Sequence, residues 1–364
     1  MIDNKKRLQE LYDNNIPVYS ISRLDTINRC LYEAYLTYIQ KERQSGNVYS
    51  ILGSCIHSVL EGITNGTATE ADLYPAMQEE FKELEMLDIE FPKTSDGRDV
   101  MRNNWVADMT HFCKTYKAPQ NKTLKAEEMF IYQTPAGKYL QGYIDLYMIR
   151  KDGSIDIFDY KTSTLYSGKD IKEHGRQLIT YVLGKRQEGF KVNSASWIFL
   201  KYVTVKFNGK KTSRSKKESE IVKNVERRKL ASEIGAWVEA DLLDMGLNEL
   251  DVEIKMDEFR RTNMIPDELK EKYVIKPCVI SVDLSEESIN ECIEYIDSTI
   301  ERWESMSGHE IEYTPVKFTK LNRDGKEVPD HFFCSSLCGH SNHCHYYQDF
   351  LRTWQPQNND DDLF

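Results

Sequence analysis

Two short stretches decide the fold: Gly142-Tyr143-Ile144-Asp145 and Ile157-Phe158-Asp159-Tyr160-Lys161-Thr162, separated by the turn Lys151-Asp152-Gly153. Both are rich in Ile, Tyr and Phe with period-two character, the pattern of a strand. They belong to the runs YLQGYIDLYMIR (139–150) and SIDIFDYKT (154–162). A third run, EEMFIYQTP (127–135), precedes them across the turn Pro135-Ala136-Gly137. The spacing predicts three consecutive antiparallel strands. Side chains alternate faces along a strand, so Asp159 and Lys161 share one face and Tyr160 points to the other. A neighbouring antiparallel strand brings Asp145 beside them.

Working outward, a helix is expected from about Lys169 to Glu188, then one strand or a strand pair in SASWIFLKYVTVKF (194–207). Strands, a helix and a further strand make a mixed α/β core. Before the core, residues 20–39 read as one helix with an apolar stripe of Leu24, Ile27, Leu31, Tyr35 and Tyr38, and Cys30 lies inside it. Residues 50–63 read as a second helix carrying His57 and Glu61 on one face. Residues 70–117 read as mostly helical with a loop near Phe91–Asp99. After the core come a basic segment (206–230), helical stretches near 230–246 and 285–306, a Cys/His cluster and a polar tail. No internal repeat is visible.

The chain has 364 residues, 40% hydrophobic and 29% charged, with a net charge of −11. That balance argues against a protein that coats nucleic acid, but an acidic metal site with local basic patches is compatible with a DNA enzyme. No apolar run reaches the length of a membrane span. The start, MIDNKKRLQELYDNN, lacks the apolar core of a signal peptide, so a cytoplasmic location is expected, in a bacterium or a phage-infected host. No G-x-x-x-x-G-K-[ST] loop occurs, which excludes a P-loop motor in this sequence.

Two carboxylates and an ammonium on one strand face are what phosphodiester cleavage needs. Carboxylate oxygens hold Mg²⁺ or Mn²⁺, the metal polarises phosphate and activates water, and the lysine offsets charge in the transition state. A lone D-x-K is more often a surface salt bridge; the preceding G-x-x-D strand at hairpin spacing shifts the reading to chemistry. Gln177 and Tyr181, four apart, share a helix face and can reach phosphate or water; the bland alternative is a half-buried helix face. His57, alone, is more often a packed residue, but a helical histidine can complete a His/carboxylate site.

Taken together, these motifs resemble the RecB-type branch of the PD-(D/E)XK nucleases, which includes AddB-type nuclease domains and CRISPR adaptation exonucleases. The matching pieces are Ser20-Ile21-Ser22-Arg23-Leu24, G-x-x-x-H at Gly53–His57, G-x-x-D at Gly142–Asp145, D-Y-K-T at Asp159–Thr162 and Q-x-x-x-Y at Gln177–Tyr181. The resemblance covers roughly residues 18–205 and 334–347. It implies a restriction-endonuclease-like mixed β-sheet core flanked by helices, with helical insertions and a Cys-rich C-terminal segment. It also implies that His57, Asp145 and Asp159 ligate metal with help from the Tyr160 carbonyl, that Lys161 is the catalytic lysine, that Gln177 and Tyr181 assist, and that Glu128 sits near the metals.

Eight cysteines occur, three of them in Cys334-Ser-Ser-Leu-Cys338-Gly-His-Ser-Asn-His-Cys344. Such clusters in a cytosolic chain point to metal or iron–sulfur ligation rather than disulfides. Many relatives in the resembled branch carry a [4Fe–4S] cluster on one early and three late cysteines, which makes Cys30 the fourth thiolate. Three residues separate Cys334 from Cys338 where that branch usually has two. The rival is zinc on Cys334, Cys338 and Cys344 with Cys30, His340, His343 or His345.

The expected organisation is N-terminal helices (1–64), a helical insertion (65–125), the nuclease core (126–205), a basic and helical region (206–310), the cluster-binding segment (311–352) and an acidic tail (353–364). The expected function is a metal-dependent DNA exonuclease in recombination, repair or end resection, with a phage or mobile element as one setting that the resemblance implies. Alternatives are a non-catalytic DNA-binding adaptor on a nuclease-like fold and an RNA-processing nuclease. Lys210, Lys211, Lys216 and Lys217 are candidates for DNA backbone contact. The tail Asp360-Asp361-Asp362-Leu363-Phe364 resembles the tip of single-strand-binding proteins and so suggests a recombination partner, a frayed terminus being the plainer alternative.

Overall fold

The computed structural model describes residues 3–94, 96–119, 123–209 and 219–354. Its helices are α1 (Asn4–Asp13), α2 (Ile21–Arg29), α3 (Leu31–Ala34, continued by a π-helical turn Tyr35–Ile39), α4 (Val48–Asn65), α5 (Leu73–Met86), α6 (Val100–Thr115), α7 (Lys169–Gln187), α8 (Leu230–Asp244), α9 (Glu249–Thr262), α10 (Glu286–Glu304), α11 (Phe332–Ser336) and α12 (His345–Thr353). Its strands are β1 (Val18–Tyr19), β2 (Leu124–Gln133), β3 (Tyr139–Ile149), β4 (Ile155–Lys161), β5 (Val192–Gly209), β6 (Ser219–Glu226), β7 (Val274–Ser281), β8 (Thr319–Leu321) and β9 (Glu327–Pro329). Two compact units emerge, each discontinuous in sequence: one of residues 1–51, 131–142 and 286–364, the other of residues 52–130 and 143–285.

The second unit is a mixed sheet flanked by helices. β3 runs antiparallel to β4 with Leu146 opposite Phe158 and Tyr147 opposite Ile157. β4 runs parallel to β5, with Asp159 beside Trp197 and Lys161 beside Phe199. β5 is one continuous strand whose far half pairs antiparallel with both β6 and β7, with a register shift between Phe199 and Val203. α7 is the crossover between β4 and β5, as a parallel pair requires. Its Leu178 and Val182 are fully buried, as are Trp197 and Phe199. Each such aliphatic side chain contributes about 2 kcal/mol by leaving water. A second core gathers Val203, Val205 and Phe207 of β5, Ile234 and Val238 of α8, and Val252, Met256 and Phe259 of α9.

The first unit packs α2 beside α10, with Leu24, Ile27, Ile296 and Ile300 fully buried and Asn28 Nδ2 donating to Thr299 Oγ1 at 2.7 Å. Its β1 lies parallel to the opening residues of β3, Val18 beside Tyr139.

Three expectations change. The helix over 20–39 is broken: Cys30 is extended (φ −151°, ψ 104°), ending α2 and capping α3 through its sulfur, which accepts the Glu33 N–H at 3.4 Å. The basic segment, given no element by its sequence, is largely strand where described: β5 continues to Gly209, β6 returns along it to Glu226, and a 3-10 turn over Arg227–Lys229 leads into α8. Lys210, Lys211, Lys216 and Lys217 lie outside the described residues, as does the tail from residue 355. Finally, α9 and β7 stand where no element was expected. Among the described residues, no helix is long and apolar enough to cross a membrane.

Candidate active site

Strand alternation and register build the site, which lies within the second unit. One residue beyond the Leu146–Phe158 pair, Asp145 of β3 comes level with Asp159 of β4 on the same face. Asp145 Oδ2 accepts the Tyr160 backbone N–H at 2.9 Å, which fixes it at the strand edge. His57 of α4 approaches from above, its Nδ1 3.3 Å from that same oxygen. Gly53, one turn before His57, faces Thr162, and a Cβ there would make an ordinary contact 3.4 Å from Thr162 Oγ1.

Lys161 is held from two sides. Its Nζ is 2.5 Å from Asp159 Oδ2 and donates to Gln177 Oε1 at 2.9 Å. Gln177 Nε2 in turn donates to the Tyr181 hydroxyl at 2.8 Å. The i, i+4 spacing on α7 thus forms a relay that orients the amide oxygen toward the ammonium. Tyr181 is locked edge-on against Phe130 of β2, ring centroids 5.5 Å apart. Phe130 fits only because position 184 of α7 is glycine, where a Cβ would lie 2.2 Å from the ring.

The electrostatics favour a cation. Burial, then repulsion from Asp159, pushes the Asp145 carboxyl up to about 8. Burial lowers His57, against the pull of Asp159. Burial works against the charge on Lys161, but Asp159, Tyr166 and Asp145 together offset it and the ammonium is held above its usual range. Lys161 thus balances Asp159 while Asp145 resists ionising beside it, and a divalent ion would let both carboxylates carry charge. Among the described residues, no group of three or more His, Cys, Asp or Glu side chains is already arranged as a metal ligand set. His57, Asp145, Asp159 and the Tyr160 carbonyl are the residues that could hold such an ion, with Asp159 exchanging its contact with Lys161.

Glu128 is engaged elsewhere. Its carboxylate takes the ammonium of the fully buried Lys185 at 2.5 Å and accepts from the Tyr147 hydroxyl. Its neighbour Glu127 is the one in electrostatic reach of the pair: burial, then Glu61 and Asp159, raises its carboxyl, and it in turn raises Asp145. The cause is local backbone. Glu127 takes a positive φ of 49° within β2, an irregularity that breaks the alternation. Sequence reading passed over Glu127 and gave Glu61 no role; the doublet Glu127-Glu128 was the only visible signal.

In the first unit, Cys30, Cys334, Cys338 and Cys344 line one small cavity together with His340, Phe318 and Phe333. Burial, then Cys338, Cys30 and Cys344, pushes the Cys334 thiol up to about 12. Backbone N–H groups point at the sulfurs: Glu33, Val316 and Tyr32 toward Cys30, His340 toward Cys338, and Tyr347 and Tyr346 toward Cys344. Donors gathered around buried sulfur suit thiolates that carry negative charge.

A central mixed sheet flanked by helices is the architecture of the restriction-endonuclease-like fold. The chain belongs to the PD-(D/E)XK nuclease superfamily, whose family model matches residues 18–345. No curated protein matches it. Among solved structures, the crystal structure of SSO0001 is similar at 11% identity, over 64% of this chain and 84% of that one, with a TM-score of 0.19, a likeness too faint to bear on the argument.

Proposed function

We propose that the protein is a Mg²⁺- or Mn²⁺-dependent DNA exonuclease of the RecB/AddB type, acting in recombination, repair or end resection. The observation that carries the catalytic reading is the pairing of Asp145 with Asp159 on one sheet face, with Lys161 held between Asp159 and Gln177. A divalent ion at His57, Asp145 and Asp159 would supply Lewis acidity to the scissile phosphate and lower the pKa of a water. Lys161 would offset charge on the phosphate as the transition state forms. Gln177, fixed by Tyr181, keeps the lysine aimed. The exonuclease action and the DNA setting are taken from the resemblance to the RecB-type branch, which the ordered motifs at Gly53–His57, Gly142–Asp145, Asp159–Thr162 and Gln177–Tyr181 carry.

End-labelled linear DNA, closed circular DNA and RNA, each incubated with Mg²⁺ or Mn²⁺, test this. Linear DNA should shorten from its ends, circles should resist, and Asp159→Ala should be inert. Nicked circles would make it an endonuclease, digestion of RNA alone an RNA-processing enzyme, and inertness of the wild type an adaptor.

The second part of the proposal is a [4Fe–4S] cluster on Cys30, Cys334, Cys338 and Cys344, with zinc as its rival. Supporting it are the four thiols around one cavity, their mutual crowding and the backbone donors at the sulfurs. Bound iron and brown colour in anaerobically purified protein test it; a colourless protein carrying one zinc would overturn it.

A further inference from the structure

His340 lies between Cys338 and Cys344 in the loop joining α11 to α12, and it is fully buried. The loop is pinned. Ser45 N–H donates to Gly339 O at 3.0 Å, and a Cβ at position 339 would sit 2.6 Å from Ser45 O.

One ring nitrogen is accounted for. His340 Nε2 is 2.9 Å from Thr37 Oγ1. Thr37 Oγ1 already accepts a hydrogen bond from Gln44 Nε2 at 2.7 Å, so its own proton is available to His340 Nε2. In the tautomer in which Thr37 donates to Nε2, the ring proton lies on Nδ1. Yet Nδ1 is buried and has no hydrogen-bond partner among the described residues. A buried N–H left without an acceptor is costly, and native proteins rarely tolerate one. The ring lines the cavity shared by the four cysteines, where the acceptor can be supplied.

We propose that His340 donates its Nδ1 proton to sulfur of the cluster bound by Cys30, Cys334, Cys338 and Cys344, and thereby raises the cluster's reduction potential. This rests on the iron–sulfur reading above. A donor to sulfur stabilises the more negative, reduced cluster more than the oxidised one, so its presence raises the potential.

The test uses the full-length protein purified anaerobically, as wild type, His340→Leu and His340→Gln, with iron content measured and the midpoint potential taken by spectroelectrochemical titration. His340→Leu should keep its iron and titrate lower by about 59 mV, the one-electron equivalent of a tenfold change. His340→Gln, which keeps an N–H donor, should stay near the wild type. Iron lost from His340→Leu but kept in His340→Gln would also support a donor. A potential unchanged in iron-loaded His340→Leu would overturn the proposal and leave the cluster standing. Iron lost from both variants would overturn it too, marking His340 as a ligand. An iron-free wild type would instead defeat the cluster reading, and this proposal with it.

Discussion

Glu127 and Glu128 stand side by side in β2 and face different tasks, and substitution should separate them. Glu128→Gln weakens the neutralisation of a fully buried ammonium, Lys185, which keeps Glu188 at 2.9 Å. It should cost about 1–3 kcal/mol in a urea melt while leaving cleavage near normal. Glu127→Gln should leave the fold intact but raise the Mg²⁺ needed for half-maximal cleavage on the order of tenfold, as loss of a charge supporting a metal site does. The reverse pattern would return the assignment to Glu128. At the core of the site, Asp145→Ala, Asp159→Ala and Lys161→Ala should each lower cleavage roughly 10²–10³-fold or more without unfolding the protein. Period-two alternation made the shared face of Asp159 and Lys161 legible, and the hairpin spacing made their neighbour Asp145 legible. Glu127 was not legible, because a positive φ at a non-glycine residue leaves no trace in composition or periodicity.

At the scale of elements, α7 shows how a helix face serves both packing and positioning. Gly184→Ala would place a methyl group where Phe130 now lies, 2.2 Å from its Cδ2. The ring must move, and with it Tyr181, whose hydroxyl holds Gln177. Overpacking of this kind costs about 1–3 kcal/mol. Calorimetry should therefore show a lower Tm, and cleavage should fall with it through the loosened lysine; a variant as stable as the wild type would mean β2 yields freely. The strands β2 to β4 and helix α7 were readable because their apolar spacing is regular and their turns carry Pro and Gly. β7 was hidden by Pro277, a residue tolerated in it beside the β5 register shift. α9 was hidden by exposed Leu250 and Ile254, which blur the buried stripe Val252, Met256 and Phe259. The break at Cys30 escaped notice because Leu24, Ile27, Leu31 and Tyr35 keep helical spacing across it; the extended backbone of Cys30 and the bond from Glu33 N–H to its sulfur reveal it.

At the scale of the whole molecule, each unit has its own sensitivity. In the second unit His111 is half-buried against Arg227: its Nε2 lies 3.0 Å from Asn263 O, and its Nδ1 is 3.2 Å from an Arg227 nitrogen. Burial, then the Arg227 charge, lowers it from an ordinary 6.5 to about 4. Between those values the unfolded chain binds a proton that the folded chain does not. The stabilisation is thus full above pH 6.5 and is lost as pH falls toward 4, up to about 3 kcal/mol. His111→Gln should flatten that slope in urea melts taken across the range; an unaltered slope would assign acid sensitivity elsewhere. In the first unit the sensitivity should be to metal. Cys30 precedes its proposed partners by about 300 residues, and this unit is assembled from three separate stretches. Ligation that joins the first stretch to the last restricts the unfolded chain strongly, and ion-binding free energy becomes folding free energy. Cys30→Ala should therefore bleach the protein and speed amide exchange in α2, α11 and α12, while exchange in β4 and β5 stays as it was. Cys113→Ala, in α6 of the other unit, should keep the colour and speed exchange there instead. Equal exchange in Cys30→Ala and wild-type protein would show that the four sulfurs contribute nothing to holding the first unit together.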